Sequence, residues 1–302
     1  MGKWGQVSNL PLHGWCDLTT TAYQTSTIRH KLSAMWAETW LRLVNVSRYP
    51  GQLVMQIIIP IVFAAMPMLL GRATAGGDAG ANFEANTGTT NYVAFLLIGS
   101  NVFSIVSNAF WHIANWIRFE QETGTLEAVY LTPTSSITLA SGVAIYSAVR
   151  GVGSGLIAYM LGCLIFGVNP FQGDVLVALL FTFVGLIPLY GFTLLFGALV
   201  LRVKESNALI GLMQWVVSFL MGIFYPVTVL PPFLRLAAQL FPPTWMVNGV
   251  RSSLLGVGFF LETWYLDFAV LWVFLLIVPL FGAWVFGRVE SGLRRNEGIG
   301  TF

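Results

Sequence analysis

Six long stretches of this chain carry almost no charge, and they limit its fold more than any other feature. The stretches are 51–71, 92–117, 137–168, 175–201, 207–234 and 268–287, and together they fill about half of the chain. Arg150 is the one charged side chain among them. About 20 apolar helical residues cross a hydrocarbon core of roughly 30 Å, and a helix pairs its own backbone polar groups inside lipid. We therefore expect an all-α membrane protein with six transmembrane helices.

Composition and charge distribution agree with that architecture. Charged residues make up 9% of the chain, whereas ordinary soluble domains carry about 25%. Positive charge in short loops marks the cytoplasmic side of a membrane protein. With a cytoplasmic N-terminus, eleven of the fifteen lysine and arginine residues fall on that side, and six spans return the C-terminus to it. The eleven are Lys3, Arg29, Lys31, Arg42, Arg48, Arg118, Arg202, Lys204, Arg288, Arg294 and Arg295.

The segments around the spans divide the chain further. Residues 1–27 are polar and predict a flexible cytoplasmic arm, and residues 288–302 predict a charged cytoplasmic tail. From Ile28 apolar residues recur at intervals of three and four, and Trp36 and Trp40 lie among basic residues. Residues 28–50 therefore predict an amphipathic helix in the membrane interface. The same pattern also suits an amphipathic helix that packs on a neighbour.

Proline pairs interrupt the chain between the fifth and sixth stretches. Apolar runs at 233–240 and 245–256 are too short to span a bilayer, and prolines limit them. We expect two short helices on the outer side that partly re-enter the membrane, where irregular backbone must be buried in protein or line a wet cavity. The residues assigned to this outer re-entrant region are Pro226, Pro231, Pro242 and Arg251.

The sequence lacks the residues of several kinds of chemistry. A P-loop needs Gly-Lys-Ser/Thr with an upstream glycine, and none of the three lysines fits that pattern. The six stretches contain no Asp or Glu, the residues with which transporters and pumps bind ions or protons inside the bilayer. The three histidines are not spaced as metal ligands, and the clustered acids or histidines of a membrane-embedded lipid enzyme are missing. We assign no catalytic residue and no metal site.

One cytoplasmic segment carries the strongest positive signal. Residues 120–127 read Glu-x-x-x-Gly-Thr-Leu-Glu and are followed by Thr132-Pro133. By composition alone this is a solvated loop. The pattern resembles the cytoplasmic coupling segment of type-2 ATP-binding-cassette (ABC) exporter permeases, within their drug- and lipooligosaccharide-exporter branch. Residues 224–231 and 242–251 resemble the outer re-entrant region of that family, and the helix from Ile28 resembles its interfacial elbow helix.

The resemblance implies the function and the partners. The chain is then the permease domain (residues 51–287) of an ATP-driven exporter in the inner or plasma membrane of a prokaryote. Two permease copies pair, as a homodimer, and two P-loop ATPase subunits dock below them. ATP and Mg belong to the ATPase, so the chain itself has no cofactor and is not an enzyme, and no nucleic acid is involved. The residues expected to couple to the ATPase are Glu120, Glu122, Gly124, Thr125, Leu126, Glu127, Arg202 and Lys204.

The substrate follows from the resemblance only as a class. An amphipathic or lipid-linked compound, such as a drug, a glycolipid or a polysaccharide, would leave the cytoplasm. An ionisable residue inside a span is by default functional, although Arg150 can also snorkel to water at the inner boundary. The residues expected to line the translocation pathway are Tyr146, Ser147, Arg150 and Tyr225. A membrane anchor or assembly subunit that transports nothing, or a channel, remains the alternative.

Overall fold

The fold is helical throughout the part of the chain that a computed structural model describes, residues 28–76, 79–89, 91–122, 134–201 and 206–296. A 3-10 turn, Val227–Val229, lies between two of the α-helices, and the described residues contain no strand. In chain order the helices are α1 (Ile28–Arg48), α2 (Pro50–Ala75), α3 (Ala79–Thr87), α4 (Tyr92–Glu122), α5 (Ser136–Phe166), α6 (Val175–Val200), α7 (Ser206–Leu220), α8 (Pro232–Gln239), α9 (Pro242–Leu255) and α10 (Trp264–Asn296).

Five of these helices, α2, α4, α5, α6 and α10, are long and apolar enough to cross a membrane. They coincide with five of the six uncharged stretches, which supports the expectation of an all-α membrane protein. Helix α5 has 31 residues, so it is about 46 Å long and exceeds the hydrocarbon thickness. Helices α4 and α10 also continue past the apolar stretches, to Glu122 and Asn296. The expected tail from residue 288 therefore begins as helix.

The fifth uncharged stretch differs from the expected single span. Helix α7 has 15 residues and ends at Leu220, so it is about 22 Å long, shorter than the roughly 30 Å of a hydrocarbon core. Gly222 turns the chain with φ of 61°, a backbone conformation that glycine adopts without the strain other residues meet. Pro226 then precedes the 3-10 turn. The count of six spans stays a prediction.

Two short helices follow this turn, as the proline pattern predicts. Pro242 and Pro243 occupy the first turn of α9, where a missing N–H costs nothing. Gly256 ends the helix in the left-handed conformation, with φ of 68°. Nearly every residue of α9 is buried, because the helix packs against α6, α4 and α10. That burial is what a non-spanning helix inside the membrane requires, although the depth of α9 stays a prediction.

Small residues bring the long helices close together. An added Cβ at Gly191 of α6 would collide with the backbone of Pro279 in α10. In α5, a Cβ at Gly155 would lie 3.2 Å from the Ile105 side chain of α4, whereas Gly153 has nothing within 4 Å. Close backbone approach through glycine is a common way for membrane helices to pack. Of the small residues of α5, Gly155 therefore serves the α4 contact and Gly153 does not.

Helix α1 packs on α5 through its polar side. The Thr39 hydroxyl donates to the Gly142 carbonyl at 2.9 Å, and Arg42 pairs with Glu38 at 2.6 Å. The side chains of Trp36 and Trp40 are 61% and 57% exposed. The apolar face of α1 is therefore left free for lipid, as an interfacial helix needs. Its position in a membrane interface stays a prediction.

The two ends of the helix bundle can be told apart. Ile113, Ala140, Ala198 and Phe286 form one buried cluster, which joins the end of α4 and the start of α5 to the later parts of α6 and α10. We call this end the inner end, because the charge distribution predicts that it is cytoplasmic. The opposite outer end carries α8 and α9, together with the short helix α3.

Candidate functional site

An open cavity of about 770 Å³ lies between α2, α4, α5 and α7. It reaches from Gly51 and Trp111 near the inner end to Phe63 and Ser100 about halfway along the bundle. The cavity therefore occupies the inner half of the fold, between helices that are expected to span the membrane.

Helix α4 contributes a polar stripe to this cavity. The stripe residues follow one another at helical spacing on a single face and are Ser100, Ser104, Ser107, Asn108 and His112. The Gln214 side chain of α7 donates to the Ser107 hydroxyl at 2.8 Å, which ties α7 to this face. His112 stands out in the sequence as the ionisable residue of the spans besides Arg150, whereas the three serines and Asn108 do not. A polar period of three and four inside an otherwise apolar span is the signal that would have found them.

Arg150 is the charged centre of the cavity. Its Nε donates to Gln56 Oε1 on α2 at 2.7 Å, and its Nη1 donates to the Tyr146 hydroxyl at 2.7 Å. The ring of His112 lies edge-on to Tyr146, with 5.1 Å between the ring centroids. A guanidinium has five N–H donors, and the described residues supply these two acceptors. The side chain is thus held by α2 and α5, with donors left over.

The rest of the cavity wall is mostly apolar. Phe63 of α2 stacks on Phe103 of α4, with 5.7 Å between the ring centroids. Met55, Ile59 and Trp111 complete this apolar part of the wall. The cavity therefore presents one cationic group and a polar stripe beside an apolar and aromatic surface, so it is suited to an amphipathic compound.

Two of the four predicted pathway residues lie together in the structure. Tyr146 and Arg150 are hydrogen-bonded to each other at the cavity. Ser147 is buried, with 1% of its surface exposed, and does not line the cavity. Tyr225 lies at the outer end, where its hydroxyl donates to the Phe219 carbonyl at 2.6 Å.

Arg251 is buried at the outer end and bonded to backbone on every side. Its three guanidinium nitrogens donate to the carbonyls of Phe95 at 3.3 Å, Gly222 at 2.7 Å and Ile223 at 2.6 Å. Its guanidinium carbon also lies 3.6 Å from the centroid of the Phe95 ring. Gly99 leaves the space that this side chain fills, because an added Cβ there would collide with it. Arg251 thus joins α9 to α4 and to the turn after α7.

The predicted outer prolines mark the ends of the short helices in this region. Pro226 precedes the 3-10 turn, Pro231 is the N-cap residue of α8, and Pro242 is the first residue of α9. Arg235 of α8 also donates to the Thr228 carbonyl in the 3-10 turn. These residues shape the backbone of the outer end, and the cavity does not include them.

Part of the predicted coupling segment is described. Glu120 and Glu122 lie in the last turn of α4. The predicted coupling residues that lie outside the described residues are Gly124, Thr125, Leu126, Glu127, Arg202 and Lys204.

The start of α5, just after the coupling segment, is tied to α10 through Ser136. Ser135 caps α5, and its side chain accepts from the Thr138 N–H at 3.3 Å. Ser136 donates to the Glu290 carboxylate of α10. The segment therefore joins α4 to α5 at the inner end, and both helices line the cavity.

Comparisons with known proteins agree on a family. Residues 32–255, most of the chain, match the family described as ABC-2 type transporter. The chain is also 24% identical over 169 residues to "Inner membrane transport permease YadH" of Escherichia coli strain K12, and to the proteins of the same name in Escherichia coli O157:H7 and Shigella flexneri. Each alignment covers 56% of this chain and 65% of the relative, slightly less than two thirds of its length.

Proposed function

This chain belongs to the ABC-2 type transporter family, and on that premise we propose that it is the permease subunit of an ATP-driven exporter. The observation that carries the proposal is the amphipathic cavity in the inner half of the bundle, open between α2, α4, α5 and α7. Its relatives named inner membrane transport permease support a place in the inner membrane of a prokaryote. We further propose six spans with both termini in the cytoplasm, in line with the positive charge of the inner segments.

The proposed cargo is an amphipathic or lipid-linked compound, such as a drug, a glycolipid or a polysaccharide on a lipid carrier. Polar donors on α4 and Arg150 on α5 offer hydrogen bonds, while Phe63 and Phe103 offer apolar contact. A site that binds both ends of an amphiphile takes it from the cytoplasmic side or the inner leaflet, because the cavity lies toward the inner end. Movement outward then gives the direction of export.

We propose that the segment between α4 and α5 couples ATP hydrolysis to the cavity. In this proposal a groove on a P-loop ATPase contacts the segment, and Arg202 and Lys204 add a second contact. The residues of the segment assigned to that contact are Glu120, Glu122, Gly124, Thr125, Leu126 and Glu127. Since α4 and α5 both line the cavity, a push on the segment that joins them changes the cavity directly. Such switching between two packed arrangements is the usual way in which a local push becomes a larger movement.

The proposed assembly has two copies of this chain and two ATPase subunits. Helix α2 supports a contact between permease copies, because it exposes a row of large apolar residues along its length: Met55, Ile59, Val62, Met66 and Leu70. The cavity opens beside this helix. A second permease copy that packs there would enclose the cavity and shield it from lipid. ATP and Mg bind to the ATPase subunits, and this chain supplies no ligand for them.

The test is purification of the tagged chain in mild detergent, followed by mass spectrometry and a flux assay in proteoliposomes. We expect a P-loop ATPase to copurify and ATP to drive the movement of a fluorescent amphiphile. Glu122→Ala with Glu127→Ala should release the ATPase and abolish the flux. Glu84→Ala, an exposed carboxylate of α3 near the outer end, is the matched control and should change neither.

An ATPase-free oligomer would contradict the exporter. If that oligomer passed no compound through the membrane, an anchor or assembly subunit would replace the proposal. If it passed ions or solutes without ATP, a channel would.

A further inference from the structure

We infer that the ligand of the cavity carries an anionic group, a phosphate or a carboxylate, which Arg150 binds, and an apolar tail. The inference names the substrate class within the proposed function and rests on it. Among the described residues that line the cavity, Arg150 is the one Lys or Arg, and none is an Asp or Glu. The wall of the cavity is therefore cationic and provides no carboxylate to balance the charge.

Within the described parts of the chain, the charge of Arg150 has no ionic partner. Its two protein acceptors, Gln56 and Tyr146, are both neutral. An ionisable side chain at membrane depth is expensive and is normally compensated by a partner or by water in a cavity. A ligand carboxylate or phosphate on the remaining N–H donors would form charge-assisted hydrogen bonds, which are roughly twice as strong as neutral ones.

Gln56 provides a second and independent sign of a missing acceptor. Its side chain is 7% exposed and lines the cavity. Its Oε1 accepts from Arg150, which leaves Nε2 as the donor, and the described residues offer this buried Nε2 no acceptor. A buried donor without an acceptor destabilises the folded state. Gln56 and Arg150 thus present unused N–H groups side by side, as a bound oxyanion requires.

The position of this pair agrees with an amphiphile taken up from the inner side. Gln56 lies about 9 Å along α2 from Pro50, and Phe63 lies about 10 Å further toward the outer end, at 1.5 Å per residue. A headgroup on Arg150 would therefore lie toward the inner end, and its tail would run past Ile59 and Phe63 toward the centre of the bundle.

The experiment measures headgroup preference on the full chain in phosphatidylcholine nanodiscs. The probes are phosphatidylglycerol and diacylglycerol that carry the same photo-crosslinking acyl chain, and mass spectrometry locates the crosslinks. At the cavity peptides that contain Met55, Ile59 or Phe103, we expect the anionic probe to exceed the neutral probe about tenfold, the effect of one charge-assisted hydrogen bond. No ATPase and no ATP are present, so this result stands apart from the success or failure of transport.

Four variants assign the preference to its residues. Arg150→Gln and Gln56→Glu should each bring the ratio close to one, the first by removing the cation and the second by placing a carboxylate against it. Arg150→Lys keeps the charge and should keep most of the preference. Arg48→Gln removes an exposed charge at the end of α1, outside the cavity, and should leave the ratio unchanged. Because Gln56→Glu preserves the size of the side chain, it tests the idea even if Arg150→Gln fails to fold.

Three results would overturn the inference. Equal crosslinking of the two probes in the wild-type chain would show that the cavity has no preference for an anionic headgroup. A preference that survives both Arg150→Gln and Gln56→Glu would place the anion elsewhere. Displacement of the anionic lipid by an equal concentration of inorganic phosphate would show that the site takes a soluble anion and that the apolar tail contributes nothing. In any of these cases, ATP-driven flux of another amphiphile would leave the permease itself intact.

Discussion

Arg150 and Arg251 lie in the same apolar bundle and have opposite environments. Arg251 is 3% exposed, and backbone carbonyls from two other parts of the chain accept from all three of its nitrogens. Arg150 faces an open cavity and has two side-chain acceptors. Arg251 holds α9, α4 and the turn after α7 together, whereas Arg150 keeps N–H donors that a ligand in the cavity can use. Charge inside a membrane protein therefore does not by itself mark a functional site; the acceptors around it decide.

Replacement of Arg251 should have the largest effect on stability. Arg251→Met leaves the carbonyls of Gly222 and Ile223 without the guanidinium donors that pair them, and each buried unpaired group costs about 1–3 kcal/mol. We expect a loss of about 3 kcal/mol or more and a sharply lower yield of monodisperse protein. Thermal unfolding of the detergent-purified chain measures this loss. If the variant melted at the wild-type temperature, Arg251 would not be what holds α9, α4 and the turn after α7 together.

Gly99→Ala tests the packing of Arg251 against α4 without removing any hydrogen-bonding group. The new methyl group would collide with the Arg251 guanidinium and the Ile223 carbonyl, and overpacking of this kind costs roughly 1–3 kcal/mol. Gly153→Ala in α5 is the matched control, since nothing lies within 4 Å of an added Cβ there. Alanine is favoured over glycine in a helix by about 0.5–1 kcal/mol, so the control should melt at or slightly above the wild-type temperature. If Gly99→Ala and Gly153→Ala melted at the same temperature, the tight packing of Arg251 against Gly99 would be contradicted.

Thr39→Val measures how much one neutral hydrogen bond at the inner end contributes to the stability of the fold. The hydroxyl lies 2.9 Å from the Gly142 carbonyl and 2.8 Å from the Met35 carbonyl of its own helix. The change removes this one donor, which the two carbonyls share, and keeps the shape of the side chain. A typical intramolecular hydrogen bond contributes about 1 kcal/mol, so we expect a loss of that size in the same unfolding measurement. Limited proteolysis between α1 and α2 should become faster as the contact of α1 with α5 weakens. An unchanged cleavage rate would mean that other contacts hold α1 in place.

Arg150→Gln should have the smallest effect on stability and a large effect on function. The side chain borders an open cavity, and glutamine retains a donor for Gln56 or Tyr146, so we expect a loss below about 1 kcal/mol, less than that of one typical hydrogen bond. ATP-driven flux in proteoliposomes should nevertheless fall about tenfold, because the charge that meets the substrate is gone. A melting temperature as low as that of Arg251→Met would mean that the two arginines play the same structural part.

Much of the helical framework could be predicted from hydropathy. Five uncharged stretches became long helices because an apolar run of that length has one stable form inside lipid, and the proline pairs predicted the two short helices α8 and α9. The division after Leu220 was missed. Its signals, Gly222 and Pro226, are weak beside a 28-residue run without charge, and the chain turns there because the backbone meets Arg251.

The candidate site was predicted only in part, for a similar reason. Arg150 stood out as a charge in an apolar stretch, and Tyr146 lies one helical turn from it. Gln56 and the serines and Asn108 of the polar stripe of α4 gave no signal as single residues, because an uncharged polar side chain is common in a membrane span. Their role became visible when α2, α4 and α5 were seen to enclose one cavity.

The sequence by itself determined that the chain is a bundle of apolar helices with a cytoplasmic charge bias and the motifs of its family, since composition, period and short patterns are local properties. Only the tertiary structure decided that all three guanidinium nitrogens of Arg251 donate to backbone carbonyls, whereas Arg150 has two side-chain acceptors among the described residues. Arg251 reaches a carbonyl 156 residues away, and Arg150 reaches a glutamine 94 residues away. Such contacts depend on the register and crossing of whole helices, which are set by the packing of all of them together.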